Sequence, residues 1–224
     1  YRPRAIFERF NTCKMKHPDF KPFPRQEKDP HYLSKLENVT KAYWNDAALC
    51  NFGGSRYTYG EVAANIEKIH LLLEAAGVKK GDKVTLCARN TAEWAIAFLG
   101  INTYEAVVVP LLADFLPDSI NHLVDHSDSV ALLSDKDIWP TLDIKAMPKV
   151  RMVMNVTDLS LFWAGDKKTE KAFAGLEESF AAKFPEGFSP DDVHYPTDNA
   201  KDLAVINYTS GTTSAPKGVM LRYE

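Results

Sequence analysis

The sequence predicts an α/β fold: a layered, mostly parallel sheet flanked by helices. Two observations carry that prediction. Short apolar runs such as VTLC, AVVVPLL, VALLS and VRMVMNV alternate with longer segments of helical periodicity, the order expected of a parallel sheet covered on both faces. Those longer segments also begin and end at recognisable helix start and stop residues.

Taken in order, residues 1–46 read as an irregular, partly helical lead-in, rich at first in Pro, Lys and Phe, with one short helix at RAIFERFN. Residues 47–224 read as the α/β part. In AALCNFGGSRYTY two short apolar segments flank Gly53 and Gly54, a hairpin signal. The best-defined helix follows. Thr58 and Glu61 have the spacing of a capping box, and Val62, Ile66, Ile69, Leu73 and Ala76 recur at steps that place them on one face. Gly77 stands where a C-terminal cap belongs. GVKKGDKVTLCA is a turn feeding a buried strand, and TAEWAIAFLGINTYE is a second helix. AVVVPLL is a strand, PDSINHLVDHS a helix opened by Pro117, VALLS a strand, DKDIWPTL a short helical turn and VRMVMNV a strand. A single helix is expected over about 169–183, then a polar, proline-rich loop, then a last strand at 203–208. In such sheets ligands sit at the carboxyl ends of the strands.

Composition narrows the function. At 45% hydrophobic and 25% charged residues, the 224-residue chain has the make-up of a globular protein with a sizeable core. Its formal net charge of −3, with Lys and Arg dispersed, offers no counter-charge to a polyanion, so no nucleic-acid partner is expected. Cys13, Cys50 and Cys87 are far apart and odd in number, which suits free, mostly buried thiols in a reducing compartment. The longest apolar run, AVVVPLLA, falls short of the ~20 residues that span a bilayer. Charges interrupt the N-terminal YRPRAIFERF, unlike a secretory signal. A cytoplasmic location is expected, with peripheral membrane contact left open.

The stretch DLAVINYTSGTTSAPKGVMLRYE, residues 202–224, carries the chemistry. Thr209, Ser210, Thr212, Thr213 and Ser214 crowd hydroxyl donors together, Gly211 lets backbone approach a ligand, and Lys217 adds a positive charge after Pro216. Amides, hydroxyls and one ammonium are what a polyphosphate needs once water is displaced. The Walker A order is not met: Pro216 precedes Lys217, and Gly218 follows it. A polar linking turn accounts for the composition of this loop but not for its order.

That order, YTSGTTSAPKGVML, resembles the phosphate-loop signature of the AMP-forming acyl-CoA synthetase, adenylation-domain and luciferase superfamily. YTYGEVAANIEKIHLLLEAAGVKKGDKV and AFLGINTYEAVVVPLLAD are similar to two earlier segments of that family, so the resemblance covers about residues 47–223. The texture after the lysine is most like long-chain fatty acyl-CoA ligases. The resemblance implies an enzyme that uses ATP, Mg2+ and coenzyme A: a carboxylate attacks the α-phosphorus to give an acyl-adenylate and pyrophosphate, and the thiol then displaces AMP. It implies that Thr209, Ser210, Thr212 and Thr213 donate hydrogens to the outer phosphates, Gly211 permits their approach and Lys217 neutralises them. A lost donor of that kind costs about 2–4 kcal/mol of transition-state stabilisation.

Departures from the family pattern matter too. Ser214 stands where the family usually has Gly; a left-handed backbone there would strain Ser by roughly 1–2 kcal/mol. Arg222 and Tyr223 stand where the family often has a hydroxyl residue and His. The family's adenine, metal and ribose ligands and its lid domain follow the loop, so the resemblance implies an N-terminal fragment, inactive alone, with no complete catalytic set. Two alternatives stay open: an adenylating enzyme for an aryl or amino acid, and a non-catalytic nucleotide-binding domain.

Other features have plainer readings. His122 and His126 lie four apart on a helix but without the Glu of a zinc-protease pattern, so a solvated helix face is expected and no metal site. Trp44, Trp94, Trp139 and Trp163 are read as packing residues, and Lys79, Lys80 and Lys83 as a solvated turn.

Overall fold

The computed structural model describes residues 31–209 and 217–224. The expected helix at RAIFERFN and the interior of the phosphate loop lie outside the described residues. The chain divides into two units, Tyr1–Pro30 and His31–Glu224.

The centre of the second unit is a seven-stranded sheet in the order β7-β6-β5-β3-β4-β8-β9. Strands β3 (Lys83–Cys87), β4 (Val107–Leu111), β5 (Ser129–Ser134), β6 (Met152–Asn155) and β8 (Leu203–Thr209) run parallel. Strands β7 (Leu161–Ala164) and β9 (Lys217–Arg222) close the two edges antiparallel. A separate ribbon pairs β1 (Ala47–Cys50) with β2 (Arg56–Thr58), antiparallel, as the hairpin signal predicts. The expected class, a mostly parallel layered sheet flanked by helices, is the one observed.

Strand alternation sorts the core into two layers. Val84 and Leu86, Val108, Leu133, Met152 and Met154 face one side, where α2 (Tyr59–Ala75) and α3 (Ala92–Thr103) cover them with Ile66, Ile69, Leu73, Ile96 and Ile101. Cys87, Val109, Leu111, Leu132 and Val153 face the other, under Ile120, Leu123 and Val124 of α4 (Pro117–His126). Each fully buried side chain of this size contributes about 1.5–3 kcal/mol of transfer free energy. Burial on both faces explains why the strands read as unbroken apolar runs.

The helix signals are realised atom by atom. The Thr58 hydroxyl accepts from the Glu61 amide at 3.2 Å, and the Thr58 amide donates to Glu61 Oε2 at 2.7 Å, closing the capping box. Gly77 takes the left-handed φ of 70° that ends α2, and Val78 N–H donates back to the Leu73 carbonyl at 3.0 Å. Pro117 opens α4.

The structure differs from the sequence expectations at five points. The helix over 169–183 is two, α5 (Lys167–Ala174) and α6 (Leu176–Lys183), because Gly175 leaves helical geometry between them at φ −108° and ψ 25°. Strand β8 is not the last: β9 follows it, and its apolar VML shows no alternation because every residue of β9 is exposed. Strand β7 also went unread, since its four residues are all half-buried and carry no period. Of the described cysteines, Cys87 is buried but Cys50 is exposed. A helix absent from the sequence reading, α1 (Tyr32–Ala42), starts at His31, whose ring nitrogen accepts from Leu33 N–H at 3.2 Å. Histidine lies outside the usual N-cap set, so the start carried no signal.

Gly60, in the first turn of α2, has the Trp44 indole only 2.6 Å from where a Cβ would stand. Gly60→Ala is expected to displace that indole from Phe188, which it meets at 5.8 Å. The loss, read by urea unfolding, should be about 1–3 kcal/mol.

Candidate functional site

The β8–β9 hairpin points its turn toward the carboxyl ends of the parallel strands. Its ladder pairs Asn207 with Val219, Tyr208 with Gly218 and Thr209 with Lys217. Directly opposed residues of an antiparallel pair leave the same face of the sheet. Thr209 and Lys217, the first and last of the candidate phosphate ligands, therefore stand side by side at the mouth of the 210–216 turn, both exposed. Ile206 and Tyr208 pack toward the α4 layer, so Thr209 and its partner Lys217 leave the opposite face. Ser210, Gly211, Thr212 and Thr213, with Ser214, lie in the turn, outside the described residues.

Gly218 has a packing reason. A Cβ there would lie 2.9 Å from Ile206 Cγ2 and 3.5 Å from Tyr208 Cε1, so glycine lets both side chains lie over β9. The Tyr208 hydroxyl and His126 Nδ1 share a hydrogen bond of 2.7 Å, with the two rings edge to face. Burial, with the nearby charge of Asp128, pushes the Tyr208 phenol pKa upward, so the group stays a neutral hydroxyl.

Beside the hairpin, a cavity of about 510 Å³ opens over the carboxyl ends of β3, β4 and β8. Asn207 and Tyr208 form one wall, Arg89 and Asn90 another, and Trp94 and Phe115 supply aromatic surface. Leu112, 65% exposed, belongs to the same lining. Arg89 is steadied by acids at the end of β5: its amide donates to Asp135 at 2.8 Å and its guanidinium lies 3.4 Å from Asp137. The cavity thus joins apolar surface to one cation, Arg89, and one carboxylate, Asp114, and its wall residue Tyr208 immediately precedes Thr209.

Trp94 corrects the packing reading in part, since it stacks on Phe98 yet also lines this cavity. Arg89, Asn90, Phe115 and Asn207 were not singled out in the sequence; their only signal is position, just past or at the end of a strand. Trp44 and Trp139 do pack, on Phe188 and Phe162.

The support beneath Trp94 is a buried carboxylate. Glu93, in the first turn of α3, accepts from Asn51 Nδ2 at 2.8 Å and from Tyr57 Oη at 2.7 Å, while Asn51 Oδ1 accepts from Ala92 N–H at 2.7 Å. The β1–β2 ribbon is thereby tied to the start of the helix that carries Trp94. Burial alone would raise the Glu93 pKa, but the donors from Asn51 and Tyr57 outweigh it and hold it below the ordinary 4.5.

Of the other singled-out residues, His126 reaches the site hairpin through Tyr208. His122 and His126 are exposed on α4, and among the described residues no group of three His, Cys, Asp or Glu could hold a metal ion. Lys80 is not simply solvated: it pairs with Glu105 at 2.6 Å and Asp202 at 3.3 Å, at the amino ends of the strands, away from the hairpin turn. Tyr223 is buried there, and its hydroxyl donates to the Asn102 carbonyl at 2.8 Å.

Residues 36–224 match the family model described as AMP-binding enzyme. The chain belongs to that family. A medium/long-chain-fatty-acid–CoA/3-oxocholest-4-en-26-oate–CoA ligase of Mycobacterium marinum is 31% identical over 182 residues, covering 80% of this chain and 31% of the relative. Among solved structures, an anthranilate CoA ligase in complex with anthranoyl-AMP superposes with a TM-score of 0.67 at 18% identity, over 86% of this chain and 34% of that one. A long-chain-fatty-acid-CoA ligase from Archaeoglobus fulgidus gives 0.62 at 18% identity, over 85% and 36%. These two likenesses are of fold. The chain spans about a third of the length of the curated relatives it matches.

Because the folded-state pKa of Glu93 is lowered, the stabilisation it gives is present above the ordinary glutamate range and is lost as pH falls through the lowered value. Glu93→Gln should cost about 1–3 kcal/mol at neutral pH. In urea melts at a series of pH values, the gap between Glu93→Gln and the parent should close as pH drops below the glutamate range.

Proposed function

We propose that the complete gene product activates a carboxylic acid with ATP, forming an acyl-adenylate and pyrophosphate, and then transfers the acyl group to coenzyme A. The observation that carries this reading is the Thr209–Lys217 pairing, which sets two of the expected phosphate ligands together at the mouth of a hydroxyl-rich turn, within the stretch that matches the AMP-binding model.

In this reading an oxygen of the acid's carboxylate attacks the α-phosphorus, and the bond from that phosphorus to the bridging oxygen of the β-phosphate breaks. Thr209, Ser210, Thr212 and Thr213 donate to the departing pyrophosphate, Gly211 permits its close approach to the backbone, and Lys217 offsets its charge. Their contribution is to hold the leaving group in line and to match charge as it develops. The thiol sulfur of coenzyme A then attacks the acyl carbon and AMP leaves. Mg2+ bound to the triphosphate would screen its charge, while Thr209 and Lys217 would hold the phosphates that carry it. The residues present fit a triphosphate: Thr209 supplies a hydroxyl and Lys217 an exposed ammonium on one face.

A fatty acid is the proposed acid, supported by the medium/long-chain-fatty-acid–CoA ligase of Mycobacterium marinum that this chain resembles and by the apolar wall of Trp94, Phe115 and Leu112 beside the hairpin. Residues 47–224 are proposed as the α/β subdomain and 1–46 as its lead-in, acting in the cytoplasm, with any bilayer contact peripheral. No helix of the described residues is long and apolar enough to cross a membrane. The chain by itself is proposed to make no acyl-adenylate.

Lys217→Ala in the complete gene product should lower acid-dependent exchange of pyrophosphate into ATP by about 10²- to 10³-fold, with the thermal transition unmoved because Lys217 is exposed. An unchanged exchange rate would remove the phosphate role from this turn.

A further inference from the structure

We infer that His126 is a positioning residue for the paired Thr209 and Lys217, acting through Tyr208. This rests on the reading of Thr209 and Lys217 as phosphate ligands, and adds a residue from a different element to their support.

The geometry is a three-part clamp. Tyr208 immediately precedes Thr209, and its ladder partner Gly218 immediately follows Lys217. The Tyr208 ring lies over Gly218, with Cε1 at 3.5 Å and Cζ at 3.7 Å from the position a Cβ would take. Its hydroxyl meets His126 Nδ1 at 2.7 Å, and the two rings stand at 72°. One side chain therefore touches both strands that bracket the turn and is anchored on α4.

An anchor is needed because of where the hairpin sits. Strand β9 is the edge of the sheet and is exposed along its whole length. Strand β8 meets its parallel neighbour β4 through the pair Val108 and Val205, three residues before Tyr208. The last ladder pairs before the turn thus extend past that pairing, where an edge hairpin would twist freely. The Tyr208–His126 bond fixes the twist at its end. The ladder gives Thr209 and Lys217 a common face, and the bond fixes how that pair is oriented on the sheet. A triphosphate held between those two would lose affinity when the bond goes, while chemistry at saturating ATP would persist.

The test compares His126→Leu, His126→Asn and Tyr208→Phe with Lys217→Ala in the complete gene product, by pyrophosphate exchange against ATP concentration. Asn places an amide near the position of Nδ1, so it can remake the bond; Leu cannot. His126→Leu and Tyr208→Phe should each raise the half-saturating ATP concentration about three- to tenfold, as expected for one neutral hydrogen bond. Exchange at saturating ATP should hold, and His126→Asn should restore parental ATP dependence. Should His126→Leu fail to fold, Tyr208→Phe, which removes one oxygen, carries the test. Loss of exchange in Lys217→Ala together with parental ATP dependence in Tyr208→Phe overturns the clamp and leaves the phosphate site standing. Equal impairment in Leu and Asn also overturns it, since packing and not the bond would then be at work. Full exchange in Lys217→Ala overturns both.

Discussion

A parallel sheet packed on both faces is the constraint from which the rest follows. Once α2 and α3 cover one side and α4 the other, the backbone between strands has solvent only at the two ends of the sheet. Connections leaving the carboxyl ends must diverge to opposite layers, and a crevice opens between them. The cavity ringed by Arg89, Trp94, Phe115 and Tyr208 lies in that position. The hydroxyl-rich turn belongs to the same end because β8 is parallel to β4.

The two ends of the sheet are built differently. At the amino ends, polar groups are tied to one another. His31 Nε2 and Asn199 Oδ1 are 2.7 Å apart, Asn199 Nδ2 donates to Glu105 at 3.0 Å, and Lys80 pairs with the same Glu105. Asn102 Nδ2 donates to the Ala204 carbonyl at 2.9 Å, and Tyr223 closes the group onto Asn102. These bonds link α1, α3 and the start of β8, so this end is held by satisfied, largely buried polar groups. At the carboxyl ends Thr209, Lys217 and Arg89 are exposed. Donors left accessible at one end, and consumed at the other, are what a binding site and its support require.

Much was legible where one local rule governs. The capping box of Thr58 and Glu61, the left-handed Gly77 and the proline start of α4 each depend on atoms within a few residues. The chain states them directly. Elements without a local rule were missed: α1 begins on a histidine cap, while β7 is half-buried throughout and β9 is exposed on both faces, so neither strand carries a period of burial. The long helix over 169–183 failed at Gly175, where a single glycine inside a helical pattern can be tolerated or can break it, and only packing decides.

By itself, the sequence determined the class of fold, the helix ends and the order of the loop's hydroxyls and lysine, because these rest on side-chain chemistry and short spacing. Tertiary structure alone decided that Thr209 and Lys217 face one another across a ladder, that Gly218 lies beneath the Tyr208 ring, that His126 reaches Tyr208 from 82 positions away, and that Lys80 is consumed by Glu105 and Asp202. Those relations depend on strand register and on which layer each connection joins. No property of a residue or of its near neighbours encodes them, since they are fixed by the simultaneous packing of all the layers.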